Sequence, residues 1–322
     1  MSRHAGGRGT NLDGLEDVEE TGLSTVAALT NELAMAREAL AGRLRGVDPS
    51  DFPAMRRAYD AFAENDPMPE LATSSDIDLG GISCLGLLPK GASGDHVVLW
   101  CHGGGFAMGS SRSHKGLASQ VASVAQTAAV LPDYRLAPEH HHPAALEDCV
   151  TAYQSVLKEG VSPSRIILAG DSAGGGLAVA AALKLKEQGA QMPAGLMLLS
   201  PWVDLANRGW SHGAKATRDP FLTSSALQTR AKDYLGEGSA NFSILDADMR
   251  GLPPAFIQTG EAEILMSDST ALAERLGAAG VPVTLEIWPD MFHVFQARYS
   301  ILAPARQAIA RLGQWAAAHI AK

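Results

Sequence analysis

The chain has 322 residues, of which 46% are hydrophobic and 19% charged, enough apolar material for a sizeable core and too much for wholesale disorder. A formal net charge of −9 argues against a surface built to neutralise phosphates, and so against nucleic-acid binding. Cys84, Cys101 and Cys149 are too few and too widely spaced for a disulfide framework or a CxxC metal pattern, and no stretch approaches a membrane-spanning apolar length.

Met1 to about Glu20 is Gly-rich and charged and reads as a flexible tail. It holds no apolar core of the kind a signal peptide needs, so the expected location is cytoplasmic. From Thr25 to Arg45, Val26, Leu29, Leu33, Ala36, Leu40 and Leu44 recur at three- and four-residue steps and predict one face of an amphipathic helix, ended by Gly46 and Pro49. A second helix follows, with Ser50 or Asp51 as N-cap, Pro53 in its first turn, and Phe52, Met55, Tyr59 and Phe62 on one side. Two such helices ahead of the first strand have something to cover, either the back of a sheet or an active site.

Ile77 to Leu88, interrupted by Gly80, Gly81 and Gly86, predicts a bent pair of strands at a sheet edge. Val97 to Cys101 is a continuous apolar run, hence a buried strand. At its exit stand His102, Gly103, Gly104, Gly105 and Phe106. Three consecutive glycines leave backbone N–H groups unshielded, able to face an oxygen that gains negative charge during acyl transfer. A phosphate cradle would need G-x-G-x-x-G or the P-loop lysine, and neither is present. His102 suits organising this loop better than attacking a substrate.

A helix is expected from Ser113 to Ala125, a short strand from Ala128 to Leu131, and a Pro-bounded turn from Pro132 to His140. His140, His141 and His142 are neighbours in a Pro-flanked loop, so their side chains diverge, and no Cys or carboxylate stands at ligand spacing. They read as surface histidines, and no metal site or other cofactor is expected. Pro143 to Leu157 predicts another helix, leading to a strand from Arg165 to Ala169.

There the apolar run breaks into Gly170-Asp171-Ser172-Ala173-Gly174, and Leu177 to Lys186 resumes as a helix. Ser172 therefore falls on a sharp strand-to-helix turn in a G-x-S-x-G pattern, where glycine tolerates the strained dihedrals and the serine hydroxyl is pushed above the sheet edge. Leu196 to Leu199 is a further buried strand. The stretch from 202 to 250 is looser, with one helix near Ser224 to Leu235, and a long excursion of this sort inside an α/β domain tends to be a functional loop or lid. Phe106, Trp202, Phe221 and Leu222 are candidates for lining a substrate pocket, with plain packing as the alternative for each. A strand from Pro254 to Thr259, a helix from Ser269 to Ala279, a last strand from Val283 to Trp288 and a closing helix from Pro304 to Ile320 complete the chain.

Strands alternating with helices predict a mostly parallel central sheet with helices on both faces, whose active site lies at the strands' C-terminal ends. Both glycine motifs and His293 fall at such ends. HGGGF at 102 to 106, DYRLAPEH at 133 to 140 and GDSAGG at 170 to 175 together resemble the hormone-sensitive-lipase-like (family IV) carboxylesterases of the α/β-hydrolase fold, from about residue 50 to the C-terminus. The resemblance implies cap helices over residues 21–70 and a catalytic domain over 71–322 with a cap-contributing insertion at about 202–250. It also implies a triad in the order serine, acid, histidine, with Ser172 as nucleophile and His293 as base. Glu263-Ile264-Leu265 occupies the place where the family commonly has Asp-Pro-Leu, which makes Glu263 the acid. Asp268 is the alternative, with a competing use as an N-cap or first-turn acid.

The expected chemistry is two-step hydrolysis of small acyl esters of short to medium chain, with N–H groups of Gly103, Gly104 and Ala173 holding the oxyanion. The same machinery opens lactones and amides. A rival of another class is a ligand receptor on this fold, as in the gibberellin receptors, but those lose the base that His293 supplies here. The last strand, if at the sheet edge, offers a pairing surface for a homodimer.

Overall fold

The computed structural model describes residues 1, 13–64, 66–236 and 242–320, and residues 13–27 as backbone only. Its centre is one eight-stranded sheet: β1 (Leu71–Asp78), β2 (Ser83–Pro89), β3 (Ser93–Cys101), β4 (Thr127–Pro132), β5 (Ile166–Asp171), β6 (Gly195–Leu199), β7 (Ala255–Gly260) and β8 (Val283–Trp288). Their spatial order is β1-β2-β4-β3-β5-β6-β7-β8. β1 and β2 form an antiparallel hairpin, and β2 meets β4 antiparallel. Every pairing from β4 through β3 to β8 is parallel, as helical crossovers require.

The uninterrupted apolar runs of β3, β5 and β6 follow from this placement, because both faces are covered and successive side chains point to opposite sides. Leu99, Ile166, Leu168, Leu196, Leu198 and Ile257 turn to one face. There they meet α4 (Ala144–Lys158), α5 (Ala173–Glu187) and α8 (Met266–Ala278). Val98, Trp100, Ile167, Ala169, Met197 and Leu199 turn to the other, toward α3 (Ser111–Ala125) and α9 (Ala303–His319).

Two helices precede the sheet, α1 (Asp13–Gly42) and α2 (Phe52–Ala63). α1 starts at Asp13, well before Thr25, so the stretch read as a tail to Glu20 is helical in its second part; residues 2–12 lie outside the described residues. Ala36 and Leu40 of α1 bury against the α3 and α9 face, and Glu32 accepts the Ala303 N–H at 2.9 Å, capping the start of α9. α2 takes Asp51 as N-cap, its carboxylate accepting the Ala54 N–H at 2.9 Å, and buries Met55, Tyr59 and Ala63. The excursion after β6 contains the short α6 (Ser211–Ala214) and α7 (Ser224–Leu235), the latter burying Leu227, Ala231 and Tyr234.

Candidate active site

β5 ends at Asp171 and α5 begins at Ala173, leaving Ser172 alone on the turn with φ 54° and ψ −123°. A left-handed φ at a non-glycine residue costs on the order of 1–3 kcal/mol, and the surrounding contacts enforce it. A Cβ at Gly174 would run into the Cys101 carbonyl, so only glycine lets α5 start this close to β3.

His293, on the loop after β8, places Nε2 2.9 Å from Ser172 Oγ. On the other side of the ring, Nδ1 lies 3.5 Å from Glu263 Oε1. Both atoms are buried without another hydrogen-bonding partner among the described residues, so each is the other's available polar neighbour. Glu263 Oε2 accepts from Ser200 Oγ at 2.8 Å and from the Gly260 N–H at 3.0 Å, and Ser200 Oγ in turn accepts the Val294 N–H at 3.2 Å. One serine thus ties the loop carrying the carboxylate to the loop carrying the imidazole. Burial by itself would lower the His293 pKa; the hydrogen bond and charge of Glu263, followed by the charges of Asp219 and Asp171, outweigh it and raise the pKa above the ordinary 6.5.

Asp268 is turned elsewhere. Its Oδ1 accepts the N–H groups of Val203 and Asp204 at 3.0 and 2.9 Å, anchoring the start of the excursion in the first turn of α8. Of the two carboxylates left open by the sequence, Glu263 is the one that faces His293.

The glycine loop differs from expectation at one position. The Gly103 N–H donates at 3.2 Å to Asp171 Oδ1, which also accepts from Trp100 Nε1 at 3.0 Å. His114 Nε2 lies 3.2 Å from Asp171 Oδ2. Burial opposes ionisation of Asp171, but His114 and the hydrogen bond from Trp100 hold its pKa below the usual carboxylate value. Gly103 is therefore committed inward, and its assignment as an oxyanion donor is corrected: its N–H is taken by a buried carboxylate. Gly104 and Gly105, which line the cavity beside Ser172, donate their N–H groups to no protein acceptor among the described residues. Ala173, at the start of α5, has its N–H free of any intrahelical acceptor.

His102 organises the loop. Its Nδ1 sits 2.8 Å from the Gly103 carbonyl, its ring stacks on Tyr134 at 4.1 Å, and the Tyr134 hydroxyl donates to the His102 carbonyl at 2.6 Å. Burial, reinforced by His114, pushes its pKa down to about 3, so it stays uncharged. The DYRLAPEH segment buttresses the same loop: Asp133 caps α3 through Ser111, the Ala137 N–H donates to the Phe106 carbonyl at 2.9 Å, and Arg135 pairs with Asp148. His140 and His141 are exposed and His142 is half-buried, its Nδ1 3.1 Å from the Tyr234 hydroxyl.

A cavity of about 300 Å³ opens over Ser172 and His293. Phe221 and Leu222 line it, whereas Phe106 and Trp202 do not. These two are core residues: Phe106 is 2% exposed and stacks on Tyr234 with ring centroids 3.9 Å apart, and Trp202 is fully buried against it. They fill the space beneath α7 because the excursion after β6 folds back over them. The remaining walls come from the N-terminal segment that the sequence offered as a cover for the active site, notably Leu40 of α1, Arg43 and Leu44 just after it, and Tyr59 of α2, none of them named there as pocket residues. Asp219 was missed too. It accepts the N–H groups of Phe221, Leu222 and Ile264, joining the excursion to the residue after Glu263.

The chain matches the α/β-hydrolase-fold family over residues 98–297. It is 42% identical over 216 residues to an acetyl-hydrolase of Streptomyces hygroscopicus, covering 66% of this chain and 72% of that one. It is 37% identical over 229 residues to an esterase of Acinetobacter venetianus, covering 70% and 76% respectively. The crystal structure of an esterase from the bacterial hormone-sensitive lipase family superposes with a TM-score of 0.87 at 38% identity, covering 90% of this chain and 99% of that one. With its strand-to-helix serine, its glycine loop and its parallel sheet, the chain belongs to the α/β-hydrolase-fold family, among the bacterial hormone-sensitive-lipase-like members.

Proposed function

We propose that the protein is a serine carboxylesterase acting on small acyl esters of short to medium chain through an acyl-enzyme. The observation that carries this reading is the 2.9 Å approach of His293 Nε2 to Ser172 Oγ above a strained turn. Neutral His293 takes the hydroxyl proton as Oγ attacks the acyl carbon. Glu263 orients the imidazole and stabilises its positive form. The negative oxygen of the tetrahedral intermediate is held by N–H groups of Gly104, Gly105 and Ala173. The imidazolium then gives its proton to the leaving alcohol, and a water activated by the same ring releases the acid.

The cavity sits at the small end of the usual range for ligand sites, roughly 300–1,000 Å³, which favours short acyl groups over bulk fat. Cytoplasmic residence belongs to this reading. Its support is that Cys84, Cys101 and Cys149 are all free thiols, and no helix among the described residues is long and apolar enough to cross a membrane. A homodimer belongs to it as well: β8 closes one end of the sheet and leaves Ile287 40% exposed. Sedimentation of the purified protein as a monomer at every concentration would remove that part.

Ser172→Ala should lower turnover of p-nitrophenyl butyrate by at least about 10⁴-fold, leaving only what binding and the oxyanion donors supply. Near wild-type turnover by a folded Ser172→Ala protein would overturn the mechanism.

A further inference from the structure

Opening a neutral ester calls for no cation beside the substrate's remote end. Yet the cavity lining holds three guanidinium groups, Arg43, Arg230 and Arg298, each with a buried donor unused among the described residues. The first and last of these share the aromatic face of Phe62 in the N-terminal segment. Arg43 lies over the Tyr59 ring, 3.1 Å from its centroid, with Phe62 at 5.2 Å and Phe221 at 5.6 Å. Arg298 lies 4.4 Å from the Phe62 centroid and donates to Asp66 Oδ2 at 3.1 Å. Both line the cavity that contains Ser172, and the buried Nε of each has no acceptor among the described residues.

Asp66 pairs with Arg298 and Arg230 with Asp233 at 3.0 Å, while Asp171 is held by contacts with Trp100, Gly103 and His114. Arg43 forms no ion pair among the described residues; aromatic faces surround it instead. Burial, and after it the nearby Arg43 charge, push the Arg298 pKa down against the pull of Asp66. Arg43 is thus left without a carboxylate partner among the described residues, and guanidinium groups suit a carboxylate through paired, charge-assisted hydrogen bonds.

We propose that Arg43 and Arg298 form a carboxylate-accepting subsite, so that the preferred esters carry a second, ionised acid group at the end remote from the scissile bond. The proposal rests on the esterase reading and deepens it. Were Arg43 only a clamp between aromatic rings, its loss would change stability without changing the preference between charged and neutral esters.

Two matched pairs test this, one for each side of the ester bond: monoethyl glutarate against ethyl valerate, and 4-acetoxybutanoate against butyl acetate, followed by titrating the acid released. In the wild type, kcat/KM should favour the charged member of at least one pair by roughly tenfold, about 1.4 kcal/mol, carried mainly in KM and shrinking as NaCl is added. Arg43→Met should lower that charged-to-neutral ratio about tenfold, and Arg43→Lys, which keeps the charge but not the paired donors, should lower it less. A wild-type ratio at or below one in both pairs, a ratio that ignores salt, or a folded Arg43→Met protein with the wild-type ratio would each overturn the subsite. If Arg43→Met does not fold, the wild-type ratio and its salt dependence decide. Loss of neutral-ester hydrolysis in Ser172→Ala would uphold the esterase reading even where the charge preference fails.

Discussion

At the scale of single residues, His293 sets the pH response. Its imidazole must be neutral to accept the serine proton, and Glu263, Asp219 and Asp171 together raise its pKa above 6.5 despite burial. A raised pKa keeps the ring protonated, and inactive as a base, to a higher pH. The acidic limb of kcat/KM for a neutral ester should therefore have its midpoint above 6.5, the value of an ordinary histidine. Glu263→Gln removes the first of the charges holding it there, so the limb should move down in pH while kcat falls by about 10²–10⁴. A pH–rate profile of both proteins checks this; an unmoved limb would mean that Glu263 does not act on the ring. Ser172 and His293 were legible because each stands in a short pattern at a strand's end. The preference for Glu263 over Asp268 came from the register of the resemblance and not from the residues themselves. Glu263, on the loop after β7, and Asp268, five positions on in the first turn of α8, differ in which way they turn, and that is decided by Ser200 and by the bare N–H groups of Val203 and Asp204.

At the scale of elements, the glycine loop and the excursion after β6 show where local pattern stops informing. The run His102 to Phe106 announces exposed N–H groups, but not which of them a buried carboxylate will occupy. Asp171 stands 68 positions further along and meets Gly103 because β3 and β5 pair in parallel, with Cys101 opposite Gly170. The same blindness made Phe106 and Trp202 pocket candidates: an aromatic beside a motif reads alike whether it faces a cavity or the underside of a helix. Packed beneath Tyr234 of α7, Phe106 is a core residue. Phe106→Ala should cost about 3–5 kcal/mol of stability in denaturant unfolding. The KM for short esters should shift little in comparison. A variant that unfolds like the wild type but binds substrate poorly would return Phe106 to the pocket wall.

At the scale of the whole molecule, the chemistry and the substrate walls come from different parts of the chain. Ser172, Glu263, His293 and the free N–H groups of the glycine loop all sit on loops at the C-terminal ends of β5, β7, β8 and β3, held by a sheet buried on both faces. Alternation of apolar runs with helices made that frame readable from Val97 onward; ahead of it the edge strands were read only from Ile77, which leaves out most of β1. The N-terminal helices were harder to place, because an amphipathic face says that it is covered without saying by what. Leu40 divides its contacts between the α9 face and the cavity, while Arg43 and Leu44 line the cavity and pack toward α2, Arg43 over Tyr59 and Leu44 beside the cluster of Met55, Tyr59 and Met108. Removing residues 1–48 should therefore act on two quantities separately. Stability should fall, since Ala36, Leu40 and the Glu32 cap of α9 are lost together. Steady-state binding should weaken as well: KM for a neutral short ester should rise roughly tenfold, as expected for losing on the order of 1–2 kcal/mol of ground-state contact. The fall in kcat should be smaller than the rise in KM, because no group that moves a proton or holds the oxyanion is removed. Thermal unfolding and kcat and KM measured on the same preparation separate these effects. A truncated protein that stays folded with unchanged KM and collapsed kcat would place the N-terminal helices in the catalytic step rather than in the substrate wall.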